Sequence, residues 1–174
     1  MNLPISISIT AASVELVIAL LVLRLSRAPG WRDLQAFAFV ALSASAFSAN
    51  NIASAWPDAP DYLLRLSRFS ISIGCVHLAA WVVYTRAVCA AGPAQLTRVD
   101  RGLLGVLALM FVLPFFPGVI ASHELRDQLV RGLDVTYRVP DFQPLALWVC
   151  AFLLAIMGGL LLRFVRAAIA GQPG

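Results

Sequence analysis

Long apolar runs separated by short polar punctuation dominate the chain. A helix needs roughly 20 mostly apolar residues to cross about 30 Å of hydrocarbon. Five stretches meet that condition: Ile5–Leu25, Leu34–Ala55, Leu63–Val88, Gly102–Ala121 and Leu145–Ala168. The breaks between them are rich in helix-stopping and charged residues. Arg24, Arg27, Pro29, Gly30 and Arg32 follow the first stretch, WPDAPDY the second, and AAGPAQLTRVDR the third. The pattern predicts an all-α fold, a polytopic transmembrane bundle of about five spans forming one unit over residues 1–174.

The longest connection, Ser122–Pro144, reads as a structured segment. HELRDQLVR fits a short amphipathic helix with Leu125, Leu129 and Val130 on one side. In LDVTYRV, apolar Leu133, Val135, Tyr137 and Val139 alternate with polar Asp134, Thr136 and Arg138. Period-two alternation favours an extended, half-buried strip. The connection is expected to cap the bundle or to lie in the headgroup layer.

Composition strengthens this picture. Of 174 residues, 60% are hydrophobic and only 13% charged, about half the charge of a typical soluble domain. The opening residues MNLPISISIT lack the basic start of a secretory signal, so the first run is expected to be a retained helix. All 13 basic residues are arginine, a usage that fits a GC-rich bacterial genome and a bacterial cytoplasmic membrane. Without lysine there is no Schiff base, which excludes a retinal photoreceptor or a lysine-imine enzyme. The net charge of +4 sits at span ends and does not indicate nucleic acid. With the N-terminus outside, Arg24, Arg27, Arg32, Arg86, Arg98, Arg101, Arg163 and Arg166 lie in the cytoplasm. Arg65, Arg68, Arg126, Arg131 and Arg138 lie outside. The positive-inside rule favours this orientation, with the C-terminus cytoplasmic.

Ionisable groups at membrane depth cost roughly 2.5–3.5 kcal/mol on insertion scales, so each requires a partner or a task. Glu15 falls near the middle of the first span and His77 near the middle of the third. Each lies on an inward-facing stripe: Ser8, Ala12, Glu15 and Ala19 on the first span, Gly74, His77, Trp81 and Tyr84 on the third. The two residues form either a proton-sensitive or ligand-contacting pair, or a single interhelical hydrogen bond. Small-residue stripes at Ala38, Ala41, Ser45, Ser48 and Asn51, and at Ala151, Ala155 and Gly158, predict helix contacts. Near the outer end, Asn50, Asn51, Arg65 and Arg68, with Trp56 and Asp61, are candidates for a pocket that binds a small polar or anionic ligand. Alternatively, Arg65 and Arg68 reach headgroups and pair with Asp58 or Asp61.

Enzymatic chemistry has little support. HExxH, GxSxG, P-loop and CxxC patterns are absent. His77 and His123 are not placed to hold a haem, and no cofactor is expected. Cys75, Cys89 and Cys150 are expected as reduced, packed thiols.

The layout resembles the multi-span membrane sensor regions that precede bacterial sensor histidine kinases and diguanylate cyclases. The resemblance is carried by RAPGWRDLQAFAFVALSASAFSANNIA, LLRLSRFSISIGCVHLAAWVVYTRAVCAAG, VTYRVPDFQPLALW and the exit LLLRFVRAAIAG. It implies a non-enzymatic module that couples an outer or intramembrane stimulus to a cytoplasmic kinase or cyclase output, fused or in trans, with the lipid bilayer as its other partner. It supplies no catalytic residues for this region. Such regions often have seven spans, against five here. Two further readings stand beside it: a small proton-coupled carrier or channel subunit, in which Glu15 and His77 couple the proton, and a structural subunit of a membrane complex.

Overall fold

A computed structural model describes residues 3–31, 34–55, 60–89, 95–130 and 135–170. Its elements in chain order are helices α1 (Leu3–Leu25), α2 (Leu34–Ser54), α3 (Pro60–Cys89) and α4 (Arg98–Val112), strands β1 (Ala121–Val130) and β2 (Val135–Phe142), and helix α5 (Pro144–Ala170). Four helices, α1, α2, α3 and α5, are long and apolar enough to cross a membrane. The protein is therefore membrane-embedded and mostly helical. It is not all-α, because β1 and β2 pair as an antiparallel hairpin.

The fourth apolar run folds differently from the expected Gly102–Ala121 span. Its helix starts earlier, at a capping box in which the Thr97 hydroxyl accepts from the Asp100 amide and the Asp100 carboxylate accepts from the Thr97 amide. This reciprocal arrangement satisfies two amides at the helix start. The helix ends at Val112 and passes into a 3₁₀ turn over Leu113–Phe115. Pro114 has no N–H to continue the ladder. Gly118, with a φ of +73°, then turns the chain toward β1.

The HELRDQLVR segment is a correction in kind. It forms β1, not a helix, with Leu125 opposite Pro140, Asp127 opposite Arg138 and Val130 opposite Val135. A nine-residue polar helix is marginal by itself, whereas the alternating Val135–Val139 strip offers a strand partner. Arg126–Asp141 (3.4 Å) and Arg138–Asp127 (3.5 Å) link the two strands across an exposed surface. Residues 131–134, including Arg131, Leu133 and Asp134, lie outside the described residues. The hairpin docks by its base: Ile120, Ala121 and Pro140 are buried, while Leu129 and Val130 near the far end are exposed. Ile120 packs with Ala146 and Val149 of α5, and Ile71 of α3 lies against them.

Helix directions follow from the contacts. Asn50 late in α2 meets Leu66 and Ser70 early in α3, so these helices are antiparallel. Ser72 of α3 donates to the carbonyl of Phe111 at the end of α4, and Arg163 late in α5 bonds Asp100 at the start of α4. α4 is therefore antiparallel to both α3 and α5. The main core joins these three helices through Cys75, Leu78, Val82, Leu107, Ile156 and Leu160. α3 is the hub, with α2 on one flank and α4 and α5 on another, while α1 packs chiefly on α2.

The small-residue stripes divide. Ala38, Ala41 and Ser48 of α2 are buried, as helix contacts require, but Asn51 is exposed. On α5 the contact face is Ala146, Val149, Ile156 and Leu160, and Ala151, Ala155 and Gly158 face outward. The three cysteines are free, with Cys75 buried and Cys150 exposed.

Candidate functional site

The polar residues at mid-depth are organised by α2. From α1, Glu15 Oε2 accepts a hydrogen bond from the Ser48 hydroxyl at 2.9 Å, and Ser45 donates to the Ala12 carbonyl at 2.9 Å. From α3, His77 Nδ1 lies 2.9 Å from Ser43 Oγ, and the Trp81 indole N–H donates to His77 Nε2 at 3.0 Å. Ser43 in turn donates to the Val40 carbonyl at 2.8 Å. One α2 serine thus meets the acid and another meets the histidine.

Donor and acceptor roles in this chain run in one direction. An indole nitrogen only donates, so Nε2 must accept, and a neutral imidazole then carries its proton on Nδ1. Nδ1–H donates to Ser43, whose own hydrogen is committed to Val40. The ladder Trp81→His77→Ser43→Val40 is complete with a neutral ring, and a doubly protonated ring cannot accept from Trp81. Aromatic packing holds the ladder in place: Trp81 meets Tyr84 edge-on at 5.6 Å, and Tyr84 meets Phe37 of α2 at 5.1 Å.

Glu15 and His77 share no hydrogen bond, yet they face the same space. A cavity of about 480 Å³ is lined by Glu15, Ser48, Gly74 and His77 on one side and by Leu153 and Met157 of α5 on the other. It occupies the seam between the α1–α2 pair and α5. A second, almost wholly apolar hollow of about 320 Å³ continues along α3 and α5 past Trp81, Thr85, Met157 and Phe164. Met157 borders both. The side chains at the rim are open: Phe47, Leu154 and Leu161 are among the exposed large hydrophobics.

The four ligand-binding candidates, Asn50, Asn51, Arg65 and Arg68, do not converge. Asn50 is buried, and its side-chain amide donates to the Leu66 carbonyl at 3.2 Å and to the Ser70 hydroxyl at 2.6 Å. It acts as an α2–α3 tie. Asn51 points toward α1, where it lines a hollow of about 280 Å³ with Pro4, Ile5, Ser8 and Ser54. Arg65 is exposed and Arg68 half-buried. Neither makes an ion pair with Asp61 or any other described acid. Trp56 and Asp58 lie outside the described residues.

One ionic site lies elsewhere and was not anticipated. Asp100 is fully buried, and its Oδ1 receives Arg163 Nη2 at 2.8 Å. The Thr97 amide and hydroxyl both donate to Oδ2, at 3.0 and 2.7 Å. The Thr97 hydrogen bonds and the Arg163 guanidinium compensate the buried carboxylate. The Thr97–Asp100 spacing was a readable capping signal. Its arginine partner is 63 positions away, a separation that no local pattern encodes.

Among the described residues no cluster of three His, Cys, Asp or Glu side chains is placed to hold a metal ion. The chain matches no known family model, no curated protein and no solved structure.

Proposed function

We propose that the protein is a non-enzymatic sensory module whose stimulus acts at the mid-depth seam between the α1–α2 pair and α5. The observation that carries this reading is the shared cavity of Glu15 and His77, at a junction where α1 packs on α2 rather than on α5. A stimulus shifts a conformational balance only by binding two packings with different affinity, and a seam whose two sides are joined through α3 rather than directly to each other can supply two packings. The change would leave through α5, whose far end is tied to α4 by Arg163 and Asp100.

In this reading α4 and its 3₁₀ turn make the fifth crossing. At about 1.5 Å per helical residue and 2 Å per 3₁₀ residue, Arg98–Phe115 extends roughly 28 Å, close to the hydrocarbon thickness. Five crossings place the termini on opposite sides, with the arginine-rich ends of α1, α3 and α5 in the cytoplasm of a bacterial inner membrane. The layout resembles the membrane sensor regions ahead of kinases and cyclases, so a cytoplasmic output of that kind, fused or in trans, is the proposed partner.

Spin labels at Val17 of α1 and Leu162 of α5, both exposed, measure the seam in a background lacking the three cysteines. Glu15→Gln removes the charge while keeping an acceptor for Ser48. It is expected to change the relative populations in the α1–α5 distance distribution. One distribution, identical in wild type and variant, contradicts the sensory reading. The intramembrane position of Glu15 also favours a second reading, a proton-coupled carrier. Proton-coupled flux in proteoliposomes that is abolished by Glu15→Gln would favour the carrier over the sensor.

A further inference from the structure

We infer that the seam is a binding site for a lipophilic monocation, a substituted ammonium or a charge-delocalised aromatic cation, that enters from the bilayer and pairs with Glu15. The inference rests on the seam being the stimulus site and goes beyond it by naming the ligand's charge, polarity and route. It also reverses the sign of the ligand expected from Arg65 and Arg68.

The charge follows from what is left over. Glu15 Oε2 accepts from Ser48, and among the described residues Oε1 has no hydrogen-bond partner. No arginine lines the cavity. His77 provides no compensating charge, because its Nε2 accepts from Trp81 and its Nδ1–H is directed at Ser43. The carboxyl therefore faces an apolar hollow with one acceptor oxygen unused. Such a group calls for a positively charged partner.

The kind of cation follows from the walls. A hard metal ion requires about six oxygen ligands, and the cavity lining offers only the Glu15 carboxylate and the Ser48 hydroxyl as oxygen-bearing side chains. A strongly hydrated ion would lose its water without replacement. A cation with an apolar body loses little. The remaining lining is aliphatic and aromatic, with Phe47, Leu78, Leu153 and Met157 around the acid. Trp81 and Phe164 border the adjoining apolar hollow, and aromatic faces attract cations that are poorly hydrated. The cavity of about 480 Å³ is within the range of small-molecule sites.

The route follows from the rim. Phe47 of α2 is 41% exposed, and Leu154 and Leu161 of α5 are 73% and 63% exposed. These residues sit on helices long and apolar enough to span a membrane, so the mouth of the hollow opens sideways toward lipid. A ligand already dissolved in the bilayer reaches Glu15 without crossing a polar barrier.

Tetraphenylphosphonium and tetraphenylborate have the same shape and opposite charge, and both enter bilayers. Equilibrium binding of each is measured to the full chain in nanodiscs of uncharged phosphatidylcholine, with empty nanodiscs subtracted. Saturable binding of tetraphenylphosphonium is expected, with none of tetraphenylborate. Glu15→Gln is expected to weaken it by about ten-fold or more, as loss of a charge partner in a low-dielectric site requires. Glu15→Asp, which keeps the charge, is expected to restore part of the affinity and guards against a folding artefact in the first variant. Equal affinity in wild type and Glu15→Gln, or equal binding of the two probes, overturns the inference. If neither probe binds but the α1–α5 distances still respond to Glu15→Gln, the ligand class is wrong and the seam remains the stimulus site. If the distances are also unresponsive, both fail.

Discussion

Asp100→Ala is expected to destabilise the folded bundle by about 3 kcal/mol, measured as the shift in reversible unfolding from mild detergent into SDS. The figure is at the low end of the roughly 3–5 kcal/mol lost when one partner of a buried ion pair is removed, because Arg163 is 32% exposed and can reach solvent. Two losses add: the acceptor for the Thr97 amide and hydroxyl, about 1 kcal/mol, and the ion pair, which leaves a guanidinium whose Nη1 already has no partner. Asp100→Asn keeps oxygen for Thr97 and removes the charge, so about half the loss is expected. Equal stability of wild type, Asp100→Asn and Asp100→Ala would contradict this account of the pair.

Leu107→Ala is expected to cost about 2–3 kcal/mol in the same measurement. Leu107 is 1% exposed and fills the space between Leu78 and Val82 of α3 and Ile156 and Leu160 of α5. In lipid the transfer of a side chain from water contributes nothing to helix association, so the cost is lost packing and the cavity left behind. That reasoning places it in the lower part of the range for buried leucine truncations. Leu109, two positions along the same helix, is 65% exposed, and Leu109→Ala should change stability by less than about 0.5 kcal/mol. Equal effects of the two substitutions would mean that α4 is not seated against α3 and α5 as described.

Four of the five expected spans were legible, because hydropathy over 20 residues is a strong signal; the fourth run was not, because Pro114 ends its helix early. Glu15 and His77, picked out as mid-span ionisable residues, line one cavity without a direct hydrogen bond. The direction in which each side chain points was less legible. Asn50 and Asn51 are neighbours in sequence, yet one step of about 100° around the helix turns one toward α3 and the other toward α1. On α5 the small residues looked like the contact face, but the helix packs through Ala146, Val149, Ile156 and Leu160. The surface chosen depends on the shapes of α3 and α4, which composition does not encode. The hairpin was half legible. Alternation marked β2, while Leu125, Leu129 and Val130 have a spacing that suits a helix, and only the pairing partner decides between them. The Ser43 and Trp81 contacts that fix His77 were not readable, because they depend on the rotation of α2 relative to α3.

A carboxyl that faces lipid-accessible space has a distinctive reactivity. Dicyclohexylcarbodiimide partitions into bilayers and adds to protonated carboxyls there, giving a stable N-acylurea, whereas a charged, water-soluble carbodiimide stays outside. Intact-mass and peptide analysis after treatment with each reagent tests the central claim, that Glu15 lines a seam open to the membrane. The account predicts modification at Glu15 by the lipid-soluble reagent alone, suppressed by tetraphenylphosphonium. Absence of adduct at Glu15, or equal modification by the water-soluble reagent, would contradict it.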